Sequence, residues 1–162
     1  YHGEYLVTIA QQCVELYGAT WIDKPASFFA DYAKNMLLEA IKKTLHDYGV
    51  DFDTWFSEKK LHTDGSIDRV LTQLAESGYL YEKDGALWFA ATQFGDDKDR
   101  VVRRAQGELT YVAADIAYLE NKLERGFDRL VMVLGQDHHG YVSRLKAALA
   151  ALGRSPQILD VI

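Results

Sequence analysis

The sequence predicts a mixed α/β piece whose first part is helical, and three observations predict it. Apolar residues recur at three- and four-residue steps through the first half. The period then falls to two on either side of Asp84-Gly85. The last third alternates helix, apolar strand and helix, the succession of a doubly wound sheet.

In residues 4–17 the apolar positions Leu6, Ile9, Ala10, Cys13 and Tyr17 make one helical stripe, and Gly18 ends it. After Asp23-Lys24-Pro25, where proline suits a first helical turn, a longer stripe runs through Phe29, Ala33, Met36, Leu37, Ala40, Ile41, Leu45 and Tyr48 to a stop at Gly49. Residues 51–57, DFDTWFS, alternate polar and aromatic side chains and read as a short strand. Ser66 is a good N-cap for a helix burying Ile67, Val70, Leu71 and Leu74 and closing at Gly78.

Tyr79-Leu80-Tyr81 and Leu87-Trp88-Phe89 flank Lys83-Asp84-Gly85, a hairpin whose Asp-Gly turn supplies the positive φ that such turns need. A second small hairpin is expected around Gln106-Gly107. The next helix, from about Tyr111, buries Val112, Ile116, Leu119 and Leu123. Residues 130–134 are an unbroken apolar run, the pattern of a parallel strand covered on both faces, and a last helix buries Val142, Leu145, Leu149 and Leu152.

At 162 residues the chain is one domain or a piece of a larger one, and 48% hydrophobic content is enough for a real core. It opens at Tyr1-His2 without methionine and closes on Leu159-Asp160-Val161-Ile162, so it reads as an excised fragment. A formal net charge of −6 argues against wrapping nucleic acid by bulk charge, without excluding a nucleic-acid partner held by other segments. Cys13 is the single cysteine, which rules out an internal disulfide and fits a reducing compartment. No apolar run approaches the ~18 residues of a membrane span.

Two stretches carry candidate chemistry. Tyr111 and Asp115 stand at i and i+4, so a phenol and a carboxylate share one helix face and suit a small cationic group; an acid near a helix N-terminus is equally at home as a partner of the dipole. Gly135-Gln136-Asp137-His138-His139-Gly140 follows the apolar strand, where ligands gather in open α/β sheets. Its glycines permit close backbone approach and the following helix start favours phosphate. A metal site on Asp137, His138 and His139, or histidines that only cap the helix, are the rival readings. Residues 95–100, GDDKDR, read as a solvated loop with local ion pairs or as part of a site rim. His2, His46 and His62 stand alone, and Trp21, Trp55 and Trp88 read as packing. No P-loop, GxGxxG or GxSxG pattern is present.

LYEKDGALWF, FGDDKDRVV, TYVAADIAYLENKLERGFDRL and VLGQDHHGYVSRLKAAL, in that order, resemble the catalytic domain of bacterial arginyl-tRNA synthetase. YHGEYLVTIA and DFDTWFSE are similar to the part of that domain between its halves, so the resemblance covers nearly the whole chain. It implies a fragment of a Rossmann-like class I catalytic domain with a helical first third and small β-hairpins. The helical segment would be residues 1–78, the hairpin region 79–110, and the second half of the Rossmann-like fold 111–162.

The same resemblance implies the activity. The family joins arginine to ATP, releases pyrophosphate, and passes the arginyl group to the 3′ end of tRNA(Arg). Tyr111 and Asp115 match its Tyr-x-x-x-Asp, which holds the guanidinium, with His139 in the arginine set. Gly135, Gln136, Asp137 and His138 match its GADHHGY loop beside ATP and the adenylate. Activation is in-line attack of a carboxylate on the α-phosphate, so these residues position groups and offset charge, and no catalytic nucleophile is implied. ATP enters with Mg²⁺ as a substrate complex, and no protein-bound metal is expected. Arginine, ATP and tRNA(Arg) are the implied partners of a cytoplasmic monomer with no membrane contact.

Gln136 stands where the family more often has alanine and Leu119 where it usually has histidine. The family's HIGH and KMSKS signatures are nowhere in the sequence, which implies that these 162 residues alone do not aminoacylate. A non-catalytic arginine- or nucleotide-binding module of the same fold, and a metal-dependent hydrolase built on Asp137, His138 and His139, are the alternatives.

Overall fold

The computed structural model describes residues 3–135 and 139–162, with the side chains of residues 19, 20 and 139 also outside the described set. The chain forms two compact units, Tyr1–Trp55 and Phe56–Ile162.

The first unit is helical. Helix α1 (Glu4–Tyr17) buries only Cys13, and Gly18, at φ 73°, takes the left-handed turn that stops it. A short 3-10 turn carries Trp21, whose ring stacks on Tyr17 at 3.7 Å and meets Phe28 edge-on at 4.3 Å. Helix α2 (Ala26–Asp47) starts after Pro25 and ends ahead of Gly49, as its sequence predicts. Its apolar stripe is not covered: no α2 residue is fully buried, and Met36 and Ile41 are exposed. The few contacts of α1 with α2 give that stripe too little partner surface. Residues 51–57 are irregular rather than a strand. No edge pairs with them among the described residues, and their alternation serves ring packing, with Phe52 and Trp55 edge-on at 5.2 Å.

The second unit holds the main core. Helix α3 (Glu58–Thr63), absent from the sequence reading, leads into α4 (Ser66–Glu76). Ser66 is the first helical residue and not the cap. Gly65 takes the cap position at φ 76°, and the Asp64 carboxylate accepts the Ser66 N–H at 2.9 Å. Ile67, Val70, Leu71 and Leu74 are buried as predicted.

Strands β1 (Leu80–Lys83) and β2 (Ala86–Phe89) form the expected hairpin, in register from Leu80↔Phe89 to Lys83↔Ala86. Asp84 at φ 53° and Gly85 at φ 74° are the two left-handed residues of its turn. β3 (Arg100–Arg103) adds to β2 antiparallel. The second hairpin is reduced to a turn and one bridge, Arg103↔Leu109, because the chain diverts at Thr110 into the next helix before a return strand can form.

Helix α5 (Tyr111–Glu124) buries Ala113, Ala114, Ile116, Ala117 and Leu119 and packs on α3, α4, β3 and α6. β4 (Leu130–Met132) crosses over through α6 (His139–Ala151) to β5 (Leu159–Val161), which pairs with it in parallel. The parallel pairing is as predicted, and bonds from Ile162 N–H to Met132 O and from Leu134 N–H to Ile162 O extend it. Burial on both faces is not found, since Val131 is 55% and Val133 80% exposed. A two-stranded sheet with one crossover helix covers one face only. Leu119, where the family usually has histidine, is 2% exposed and belongs to the core with Leu145, Leu149 and Leu159.

Candidate functional site

The start of α5 is pinned to the three-stranded sheet. Thr110 spends its hydroxyl on the Val101 carbonyl at 2.6 Å, not on its own helix, while its N–H bonds Val102 O at 3.0 Å. That fixes where Tyr111 and Asp115, one turn apart, emerge.

They face two neighbouring clefts. One, of about 230 Å³, is lined by Glu58, His62, Arg104, Leu109, Thr110, Tyr111 and Ala114. The other, of about 220 Å³, is lined by Phe56, Glu58, Leu61, Ala114, Asp115 and Tyr118. Glu58 and Ala114 are common to both. Tyr111 is 77% exposed, so its ring stands at a rim rather than in a wall.

Asp115 is the strained group. Its Oδ2 is buried without a hydrogen-bond partner among the described residues. Burial raises its pKa above the ordinary carboxylate value; Arg144 lowers it, Glu58 raises it again, and Lys122 lowers it. The Lys122 ammonium, 4.2 Å from the Tyr118 ring centroid, is itself pushed down by burial and by Arg125, with Asp115 opposing. On the opposite wall Phe56 stacks on Tyr118 at 4.7 Å and 20°. Two carboxylates beside flat aromatic walls suit a planar cation with several N–H donors.

The second half of the predicted site is described only in part. Gly135 follows β4 and is exposed, and His139 opens α6. Gln136, Asp137, His138 and the His139 side chain lie outside the described residues. Among the described residues no cluster of three or more His, Cys, Asp or Glu is placed to hold a metal ion.

Residues 95–100 are a solvated loop only in part: Gly95, Asp97 and Lys98 are exposed, while Asp96 and Arg100 are buried. The Asp96 side chain is 0% and that of Arg100 9% exposed. Arg100 donates to Asp96 through Nε and Nη2 and also bonds Asp97, while Asp96 Oδ1 accepts the Ser143 hydroxyl of α6 at 3.0 Å. Hydrogen bonds hold Asp96 far below the ordinary carboxylate range against the opposing effect of burial. The first turns of α6, which follow the glycine-rich loop, are thereby tied to the sheet that carries α5.

Sequence reasoning missed Glu58. A lone acid at the start of a short helix carries no signal of its own, and only its place in DFDTWFSE marks the segment. His62, read as isolated, lines the Tyr111 cleft with its ring 3.9 Å from the Glu58 carboxylate.

The family model for class I tRNA synthetases (R), catalytic domain, matches residues 28–162, and the chain belongs to that family. It is 50% identical to an arginine–tRNA ligase of Moorella thermoacetica, covering all of this chain and 30% of that protein. The corresponding ligase of Bacillus subtilis is 46% identical over 99% of this chain and 30% of its own length. A solved structure from Campylobacter jejuni, described as an arginyl tRNA synthetase, superposes with a TM-score of 0.92 at 37% identity, covering the whole of this chain and 36% of that one. The chain thus spans about 30% of the length of the curated relatives it matches.

Proposed function

We propose that these 162 residues are the amino-acid-selecting part of an arginine–tRNA ligase, a cytoplasmic enzyme that activates arginine with Mg²⁺–ATP and esterifies tRNA(Arg). The observation that carries this reading is the buried Oδ2 of Asp115, without a hydrogen-bond partner among the described residues, in a cleft it shares with Glu58. The half-buried Asp115 and the exposed Glu58 carboxylate, which opposes its ionisation, both line this cleft, and a substrate guanidinium relieves them. Its charge does not titrate and its five donors can serve Asp115, Glu58 and the Tyr111 hydroxyl together.

Beyond β4, Gly135, Gln136, Asp137, His138 and His139 hold the ATP and adenylate side, with His139 also on the arginine, and no residue acts as a nucleophile. The strand-end position before α6 and the family resemblance support this. Groups for the ATP phosphates lie in the HIGH and KMSKS signatures, so the 162 residues alone do not support the reaction.

The test is arginine-dependent ATP–pyrophosphate exchange, with cognate tRNA present, by the full-length enzyme that contains this stretch and by the stretch alone. The expected result is exchange with arginine, not lysine or citrulline, by the full-length enzyme only. Exchange driven by another amino acid, or exchange by the 162 residues alone, would overturn the reading.

A further inference from the structure

Phe56 and Tyr118 share a cleft with both carboxylates, Phe56 two residues before Glu58 and Tyr118 three residues after Asp115. Their rings stack at 4.7 Å and 20°. A ring face that carries another ring at that distance leaves no room for an ammonium, so the Lys122 Nζ, 4.2 Å from the Tyr118 centroid, lies over the far face. The Arg125 guanidinium carbon flanks Phe56 at 5.9 Å. Tyr118, Lys122 and Arg125 stand at i, i+4 and i+7, continuing along α5 the face that Tyr111 and Asp115 begin. The face that carries Asp115 therefore also grips Phe56.

That grip bears on Glu58, the first residue of α3. Ser57, at the cap position, makes no side-chain cap bond. Phe56 and Leu61 instead occupy the two positions of a hydrophobic staple, the arrangement that fixes the angle at which a chain enters a helix. Leu61 is 1% exposed, and Phe56 packs against the same core. Glu58 itself is exposed, and its contact with His62 lies within α3, so it does not tie the helix to α5.

We propose that Phe56 and Tyr118 are positioning residues for arginine recognition: their stack sets the place of Glu58 relative to Asp115, so that one guanidinium reaches both. The proposal rests on the arginine-binding reading of Asp115 and Glu58. A guanidinium is rigid and planar with its donors in fixed directions, so it rewards two carboxylates only when they stand at matching places. α3 has six residues, too few to hold a direction by itself in water. The stack supplies the direction, and Lys122 and Arg125 hold the stack in place, without either ring having to touch the substrate.

The test measures KM for arginine, KM for ATP and kcat in the full-length enzyme by ATP–pyrophosphate exchange with cognate tRNA present. Phe56→Leu and Tyr118→Leu are expected to raise KM for arginine about three- to tenfold, the scale of one lost aromatic pair, with KM for ATP unchanged. Tyr118→Phe, which keeps the ring, is expected to leave KM for arginine as it is. Because the pair acts through Glu58, Phe56→Leu is expected to add nothing in a Glu58→Gln background. A rise of the same fold in that background would mean packing alone and overturn the proposal, as would an unchanged KM for arginine in Phe56→Leu or in Glu58→Gln. A rise in Tyr118→Phe equal to that in Tyr118→Leu would make the phenol a substrate contact and overturn it too. If the leucine variants do not fold, Arg125→Gln, at the exposed end of α5, decides by the same comparison: a rise of about two- to fivefold, the scale of one cation–π contact, that vanishes in the Glu58→Gln background supports the proposal, and no rise or a persistent one overturns it. Asp115→Asn separates the levels. If it leaves KM for arginine intact, the arginine reading falls and the proposal with it; if it raises that KM while Phe56→Leu does not, only the proposal falls.

Discussion

Arg100 clasps Asp96 through two bonds, Nε to Oδ2 at 2.6 Å and Nη2 to Oδ1 at 2.7 Å, with both side chains sealed from solvent. The pair closes the turn before β3, and through Ser143 it fixes the first turns of α6. Removing Arg100 leaves the Asp96 carboxylate buried without its cation, and removing Asp96 leaves the buried Arg100 with only the exposed Asp97 as carboxylate partner. Asp96→Ala is expected to cost on the order of 3–5 kcal/mol in urea unfolding, and Asp96→Leu with Arg100→Met together less than the sum of the single changes. Additive losses would show that the pair is not a unit.

The pH dependence of stability follows from the same pair and from Asp99, whose carboxylate accepts the Thr92 N–H, the Thr92 hydroxyl and the Tyr81 hydroxyl. Both carboxyls are held below their ordinary value. Their contribution is therefore complete above that value and is lost as the pH falls through the lowered ones. Unfolding midpoints measured against pH should fall below about pH 4, and Asp96→Asn should flatten that fall.

How much of this the sequence showed depends on whether the signal was local. The Asp84-Gly85 hairpin, the stops at Gly18 and Gly49, and the parallel pairing that follows β4 were legible because turn chemistry and periodicity act over a few residues. The α2 stripe and the apolar run 130–134 were legible as apolar but not as uncovered, since a pattern says what wants burial and not what provides it. In residues 51–57 alternation is present without pairing, which needs a partner edge. At the proposed site, the spacing of Tyr111 and Asp115 puts them on one helix face but leaves a helix-dipole role equally open, and it is the family resemblance that singles them out. Glu58, 53 positions before Tyr111, joins them only through the packing of α3 on α5. The burial of Asp96 and Arg100 was hidden by the exposed charges around them.

Glu58→Gln keeps the shape of the shared wall and removes one charge. In the full-length enzyme it is expected to raise KM for arginine about 10- to 100-fold, matching ~1.5–3 kcal/mol for a hydrogen bond to a charged group. Because Glu58 raises the pKa of Asp115, its neutralisation should also move the acid limb of arginine binding to lower pH. An unchanged KM would remove Glu58 from the site.

Gly85→Ala tests the hairpin by itself. The residue sits at φ 74°, and an added Cβ would lie 3.4 Å from the Ala105 Cβ. A cost of about 1 kcal/mol is expected, mostly from the left-handed backbone, with arginine KM unchanged. A change in that KM would mean that the turn reaches the arginine cleft.

The claim on which the others depend is that Asp115 receives the guanidinium. Asp115→Ala in the full-length enzyme, assayed by arginine-dependent ATP–pyrophosphate exchange with cognate tRNA present, addresses it directly. The account predicts a loss of kcat/KM for arginine of about 100-fold or more, the scale of breaking a buried ionic contact, with KM for ATP little altered. Exchange with an unchanged KM for arginine would contradict it.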